Sequence, residues 1–375
     1  MKPLFICILL LQYVTVIAQP FTLDGQIHQM KEGLIRLSYF DPVMKRYRYD
    51  TAVVKQEKFQ FAGVIQGSCR ATLLPISNQE LPWLVLYLQA GQNVVEGSIN
   101  NWEYSGVKAG ADQMVNEKYT ALSAPLIQNL STIRDSVRAA ERLQEKQPDS
   151  KALFERAAFW QQQEQAVEEE LTALNKSFVL AHSESIVSGD ILSGLLDIEA
   201  DSVVNALFFS LHALVQQHPE LQQLHARANM RPGAKAPSFD AVNVQGDSIR
   251  ISFDKQQPLT LLDFWASWCG PCRADVPKLK KLQSKYGIDK LAVLPVSIHE
   301  RKKEKWLEAI KEDSTSHWPH VYSQRFIYNC ASMAYGVQAI PVKILIDADG
   351  KIVYRSESGG GIEGVSTFLK NYFGY

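Results

Sequence analysis

At 375 residues, with 46% hydrophobic and 21% charged side chains, the chain is long for one domain and apolar enough to build several cores. That composition excludes a disordered or low-complexity polypeptide. The formal net charge is -1 and there is no basic block, which argues against nucleic acid as a partner.

The first eighteen residues read as a secretory signal peptide. Lys2 supplies a short positive start, Leu4 to Ile17 is nearly all apolar, and Val16-Ile17-Ala18 resembles a small-residue cleavage site. Cleavage there would leave Gln19 or Pro20 at the start of the mature protein. The alternative is an uncleaved anchor, for which this apolar run falls short of the roughly 20 residues that span a bilayer. Cys7 lies inside the run, too early for a lipid-attachment cysteine. The expected location is the periplasm, with envelope association open.

Residues 19–110 are expected to form a β-rich domain. Leu34–Tyr39, Lys58–Val64 and Leu84–Leu88 are strand-like, and Asp24-Gly25, Asp41-Pro42 and Ala90-Gly91-Gln92-Asn93 separate them. The spacing suggests a small antiparallel sandwich or barrel. Residues 111–230 change character. Val115, Tyr119, Leu122, Leu126, Leu130, Ile133 and Val137 recur every three or four positions, and the pattern resumes at Leu153 after Pro148-Asp149-Ser150. This predicts an antiparallel helical hairpin followed by shorter helices at Ser202–Val215 and Glu220–Arg227. Glu168-Glu169-Glu170 reads as a solvated face.

Asn229 to Pro237 has the Pro/Gly content of a linker. In residues 231–375 strands and helices then alternate: strand Leu259–Trp265, helix Pro271–Tyr286, strand Leu291–Ile298, helix Lys302–Asp313, strands Val342–Ile346 and Ile352–Tyr354 joined at Asp349-Gly350, and helix Val365–Tyr372. The order predicts a mixed α/β sheet covered on both faces.

Trp268-Cys269-Gly270-Pro271-Cys272 follows the first of those strands. Pro271 suits the first turn of a helix, so Cys269 should sit at its N-terminus, where backbone N–H groups and the helix dipole favour a thiolate. Cys269 can then attack a disulfide, and Cys272, one turn on, can resolve the mixed disulfide. A structural disulfide or half a zinc site is the plainer reading. No second Cys-x-x-Cys or His pair supplies the missing zinc ligands, and His317-Trp318-Pro319-His320 reads as a loop entering a strand. Cys330 reads as a buried thiol on a short helix or as a further resolving cysteine, and Cys69 as a buried thiol. Gly359, Gly361 and Gly364 fit Gly-x-Gly-x-x-Gly but read as a turn into the last helix. Dinucleotide binding would need a further strand with an acidic residue roughly 20 positions on. No cofactor is expected.

From Arg231 onward the chain resembles the thioredoxin superfamily, in its TlpA-like branch. The resemblance rests on four runs: Asp263 through Cys272, Cys272-Arg273-Ala274-Asp275-Val276-Pro277, Tyr335-Gly336-Val337-Gln338-Ala339-Ile340-Pro341, and the lead-in Gly233 to Phe239. Asp275 stands where the family usually has Glu. The resemblance implies thiol–disulfide exchange on protein substrates, a Pro341 in cis beside the cysteines, and Ile340 pairing its backbone with an extended substrate. It also puts Trp268, Gly270 and Pro271 on the docking surface. Ile340 replaces the Thr common in the branch and tilts the reading toward a reductant. Asp263 matches the buried carboxylate of thioredoxin, which, desolvated and raised in pKa, would take the proton of Cys272. The plainer reading is a strand-end Asp satisfied by backbone groups. A membrane-bound electron donor is implied, while an oxidase or isomerase stays open. Phe21 to about Ala121 is similar to an uncharacterised β-rich domain that often precedes TlpA-like domains. Those front parts could instead make the chain a partner-binding module on a thioredoxin scaffold, and could dimerise.

Overall fold

The computed structural model describes residues 18–41, 43–44, 46–76, 81–196, 198–253, 259–298, 300, 302–323, 330–356 and 361–374. The expected signal peptide with Cys7, the turn residue Pro42 and Gly359 fall outside them. Two compact units divide the chain, Met1–Met114 and Val115–Tyr375. Among the described residues no helix is long and apolar enough to cross a membrane.

The first unit is one eight-stranded sheet. Its strands are β1 (Gln19–His28), β2 (Glu32–Asp41), β3 (Arg46–Lys55), β4 (Lys58–Ile65), β5 (Cys69–Pro75), β6 (Leu84–Leu88), β7 (Gly91–Ser98) and β8 (Gly106–Lys108), in the order β6-β5-β2-β3-β4-β1-β7-β8. Alternate residues of β1, β4 and β5 are buried, the signature of strands with one face in the core. The expectation of a purely antiparallel domain is corrected here, because β1 and β7 pair in parallel from Phe21↔Gly91 to His28↔Ser98. The physical reason is the link from β6 to β7. Gln89 and Ala90 alone join a strand at one end of the sheet to one near the other, so the sheet must curl. The β3–β4 ladder is reduced to Lys55↔Lys58. Asn93, read from the sequence as a separator, is fully buried inside β7. Its amide donates to the Thr22 and Gln89 carbonyls at 3.0 and 2.9 Å and pins that link.

The helical hairpin of α1 (Ala111–Lys146) and α2 (Lys151–Ala181), broken as expected at Pro148-Asp149-Ser150, belongs to the second unit from Val115 onward. Leu130, Ile133, Val137 and Val167 form its seam. Of the acidic cluster, Glu168 is exposed yet pairs with Arg134 at 2.7 Å across the hairpin. Helices α3 (Ile186–Leu195), α4 (Asp201–Ser210), α5 (Ala213–Gln216) and α6 (Pro219–Asn229) follow. Helix α3 has no counterpart in the sequence reading. Ile186, Val187, Ile191, Leu192 and Leu195 bury almost its whole circumference, so it shows no amphipathic period.

A seven-stranded sheet of order β10-β9-β13-β12-β11-β14-β15 completes the unit. The expected strands and helices are present as β11 (Leu259–Trp265), α7 (Gly270–Tyr286), β12 (Leu291–Ile298), α8 (Lys303–Glu312), β14 (Val342–Ile346), β15 (Ile352–Arg355) and α10 (Ile362–Phe373). Strands β9 (Phe239–Asn243) and β10 (Ser248–Ile251) have no counterpart in the sequence reading, while β13 (Val321–Ser323) is the strand that the His317–His320 loop enters; these three short strands lie toward one edge. Central β11 is buried on both faces: Leu262 and Phe264 enter one core, Leu259 and Leu261 the other beneath α7 and α10.

Candidate active site

The site forms where β11 runs out. Ser267 and Trp268 turn the chain, the Ala266 carbonyl accepts the Cys269 N–H at 3.0 Å, and α7 starts at Gly270. Cys269 is the N-cap in extended geometry (φ -83°, ψ 95°), and its Sγ accepts the Cys272 N–H at 3.3 Å. Pro271 occupies the first turn, where its missing N–H costs nothing. Sulfur at an N-cap therefore receives both a backbone donor and the positive end of the α7 dipole. Cys269 and Cys272 are joined as a disulfide with Cα atoms 5.3 Å apart.

Both cysteines are buried in a small apolar cluster with Trp265, Ala266, Trp306, Ala309 and Ile310, against which Ile340 packs. The Ile340–Pro341 bond is cis. Trp268 is 52% exposed, and Gly270 and Pro271 are exposed beside it. The structure thus brings Cys269, Cys272 and Ile340 into one cluster and leaves an apolar, accessible rim around the disulfide.

Asp263 has polar partners. It is 3% exposed on the α7 side of β11 and faces Lys343 as its direct cross-strand partner in β14. Lys343 Nζ lies 2.7 Å from Asp263 and 3.3 Å from Asp275 of α7, with Lys343 fully buried. The carboxylate expected from the sequence to be desolvated is buried and also ion-paired, because the strand register places an ammonium opposite it. Burial pulls the Lys343 ammonium down, but Asp263 and Asp275 more than offset this and hold it above its ordinary range. The group ties together β11, α7 and β14, the three elements that carry the cysteines and the Pro341 turn.

Two further residues escaped the sequence reading. Lys343 interrupts the apolar run Val342–Ile346, and a lone lysine in a strand buried on both faces demands an acidic partner, which was the available signal. Glu300 gave none. Its carboxylate accepts from the Ser267 N–H and Oγ at 2.7 Å each and from Ser297 Oγ at 2.6 Å, which fixes the turn before Cys269.

Cys330 is a free, buried thiol at the N-cap of α9 (Ala331–Ala334), its Sγ 3.3 Å from Ser332 Oγ. Cys69 is likewise a buried thiol outside any disulfide, at the start of β5. His320 is buried just before β13, bonded through Nε2 to Thr315 Oγ1 at 3.0 Å, and burial lowers it to about 4. Gly361 caps α10 and Gly364 lies in its first turn. Among the described residues no group of three His, Cys, Asp or Glu side chains could hold a metal ion.

The Redoxin family model matches residues 231–366. Thioredoxin-like protein YneN of Bacillus subtilis (strain 168) is 32% identical over 124 residues, which cover 33% of this chain and 69% of that protein. Thiol-disulfide oxidoreductase ResA of Bacillus thuringiensis (strain Al Hakam) is 28% identical over 138 residues, 34% of this chain and 70% of that one. Among solved structures, the thioredoxin domain of a thiol-disulfide oxidoreductase from Bacteroides vulgatus is 27% identical and covers 38% of this chain and 96% of that chain, with a TM-score of 0.33. Through its C-terminal region the chain belongs to the thioredoxin superfamily of thiol–disulfide oxidoreductases, in the TlpA/ResA-like group.

Proposed function

We propose that the chain reduces protein disulfides in the cell envelope through the Cys269–Cys272 pair. The observation that carries this is the Cys269 Sγ capping α7 at the centre of an exposed rim of Trp268, Gly270 and Pro271. In the reduced protein the donor and the dipole that now face this sulfur stabilise its thiolate. The thiolate attacks one sulfur of a substrate disulfide, a Cys269–substrate disulfide forms, and the other substrate sulfur leaves as thiolate. Cys272 then gives up its proton and attacks Cys269 Sγ. The Cys269–Cys272 disulfide forms and the second substrate thiol departs. Two electrons pass to the substrate, and a dithiol donor must return them.

Asp263 is the proposed acceptor of the Cys272 proton. With Asp275 it shares the Lys343 ammonium, which joins β11 to α7, the helix that carries Cys272. Ile340 and Pro341 form the docking turn, pairing the substrate like an added strand. A membrane-bound donor fits an envelope reductant, whose compartment lacks the cytosolic thiol pool. We assign residues 1–18 to the leader, and 19–110 and 111–230 to partner choice, placement or dimerisation beside the exchange domain 231–375.

Cys272→Ser tests the order of steps. The nucleophile remains and the resolving thiol is gone, so Cys269-linked mixed disulfides should accumulate and be visible on non-reducing gels. Mixed disulfides trapped in Cys269→Ser and absent from Cys272→Ser would reverse the two assignments.

A further inference from the structure

Helix α6 reaches the segment that leads into the Ile340–Pro341 turn. Gln223, 6% exposed, donates from Nε2 to the Val337 carbonyl at 2.9 Å and to the Ser332 carbonyl at 3.2 Å. The Ser332 carbonyl also accepts the Val337 N–H at 2.8 Å, so one amide closes both ends of the 332–337 segment, the end of α9 and the turn after it. Between them Gly336 has φ +60°, and a Cβ there would lie 2.1 Å from the Arg227 nitrogen of α6. Glycine is what lets helix and loop meet backbone to backbone. Arg355 braces the other side, donating to the Tyr335 and Gly336 carbonyls at 2.7 and 3.4 Å. Beyond this loop Gln338 and Ala339 are exposed, and Ile340 follows directly.

We infer that Gln223 is a positioning residue for polypeptide substrates: its amide fixes the 332–337 segment, and that segment fixes the Ile340 backbone that pairs with the substrate chain. The inference rests on the reading of Ile340–Pro341 as the docking turn. Strand-like pairing needs register, and a small shift of the presenting backbone misaligns its N–H and C=O groups. Without Gln223 the Val337 carbonyl loses a buried donor, and the loop must move to recover one. The cap of α7 and the cluster around Cys269 and Cys272 do not involve Gln223, so the dithiol itself stays as it is.

The test uses the full-length reduced protein in stopped flow with two disulfides. Insulin offers a polypeptide backbone. 5,5′-Dithiobis(2-nitrobenzoate) offers none. Gln223→Met keeps length and apolar volume while removing the donor, and should slow the insulin reaction by about tenfold or more, as misplacement of a positioning group does. The rate with the aromatic disulfide and the reduction potential should stay at wild-type values. Gln223→Glu, which sets an acceptor against two carbonyls, should slow insulin at least as far. If one variant does not fold, the ratio measured on the other decides. Equal insulin rates, or equal losses with both disulfides, would overturn the inference. A wild-type protein inert toward both would instead remove the exchange reading on which it stands.

Discussion

Cys269→Ser should leave the protein folded and without thiol–disulfide exchange. Serine is a better N-cap than cysteine, and its hydroxyl can accept the Cys272 N–H that Sγ accepts now at 3.3 Å. Helix α7 and the packing of Trp265, Trp306 and Ile310 around it therefore persist. What disappears is the only group at that cap able to form and release a bond to sulfur. A serine hydroxyl is not ionised near neutral pH and cannot close a disulfide with Cys272. In a dithiothreitol-driven insulin reduction assay the variant should run at the rate of dithiothreitol alone, with unchanged far-ultraviolet circular dichroism. Retained activity would place the nucleophile elsewhere.

Lys343→Met should produce the largest loss of stability of any single change near the site. The ammonium is fully buried and is the counter-charge for two buried carboxylates on two other elements. Removing one partner of a buried ion pair costs about 3–5 kcal/mol, because the remaining charge is left desolvated. Here two carboxylates are left, so the upper part of that range is expected. The folded-state value of Lys343 is raised, so this contribution is complete below its ordinary 10.5 and is lost only as pH rises through the folded value. Urea unfolding of wild type and variant at neutral pH, followed by tryptophan fluorescence, measures the difference. Asp275→Asn in the Lys343→Met background removes one stranded charge and should restore part of it. A loss below about 1 kcal/mol would mean that the three groups are not energetically coupled.

Much of the exchange domain was legible because its signals are local. Leu259–Trp265 is apolar on both faces, Cys-Gly-Pro-Cys follows it immediately, and the β14–β15 hairpin has its Asp349-Gly350 turn. The helical hairpin was equally plain, since Leu130, Ile133 and Val137 keep one seam. What escaped depends on partners distant in sequence. The Asp263–Lys343 pair joins residues 80 apart and the Gln223–Val337 bond residues 114 apart, and no periodicity announces either. The parallel β1–β7 pair escaped for a related reason. A two-residue link normally makes a hairpin, and only the curl of the whole sheet sends β7 to β1 instead. Helix α3 escaped because burial on nearly all sides removes the amphipathic pattern.

The proposed function requires a reducing dithiol at Cys269 and Cys272. Its most direct test is the reduction potential of that pair in the mature protein, equilibrated against dithiothreitol or glutathione buffers and read by the reduced and oxidised fractions. A value of about -250 mV or lower is predicted, near thioredoxin at roughly -270 mV. A value between about -120 and -180 mV would contradict it and make the chain an oxidant or isomerase, and no reversible couple at all would leave only the partner-binding scaffold.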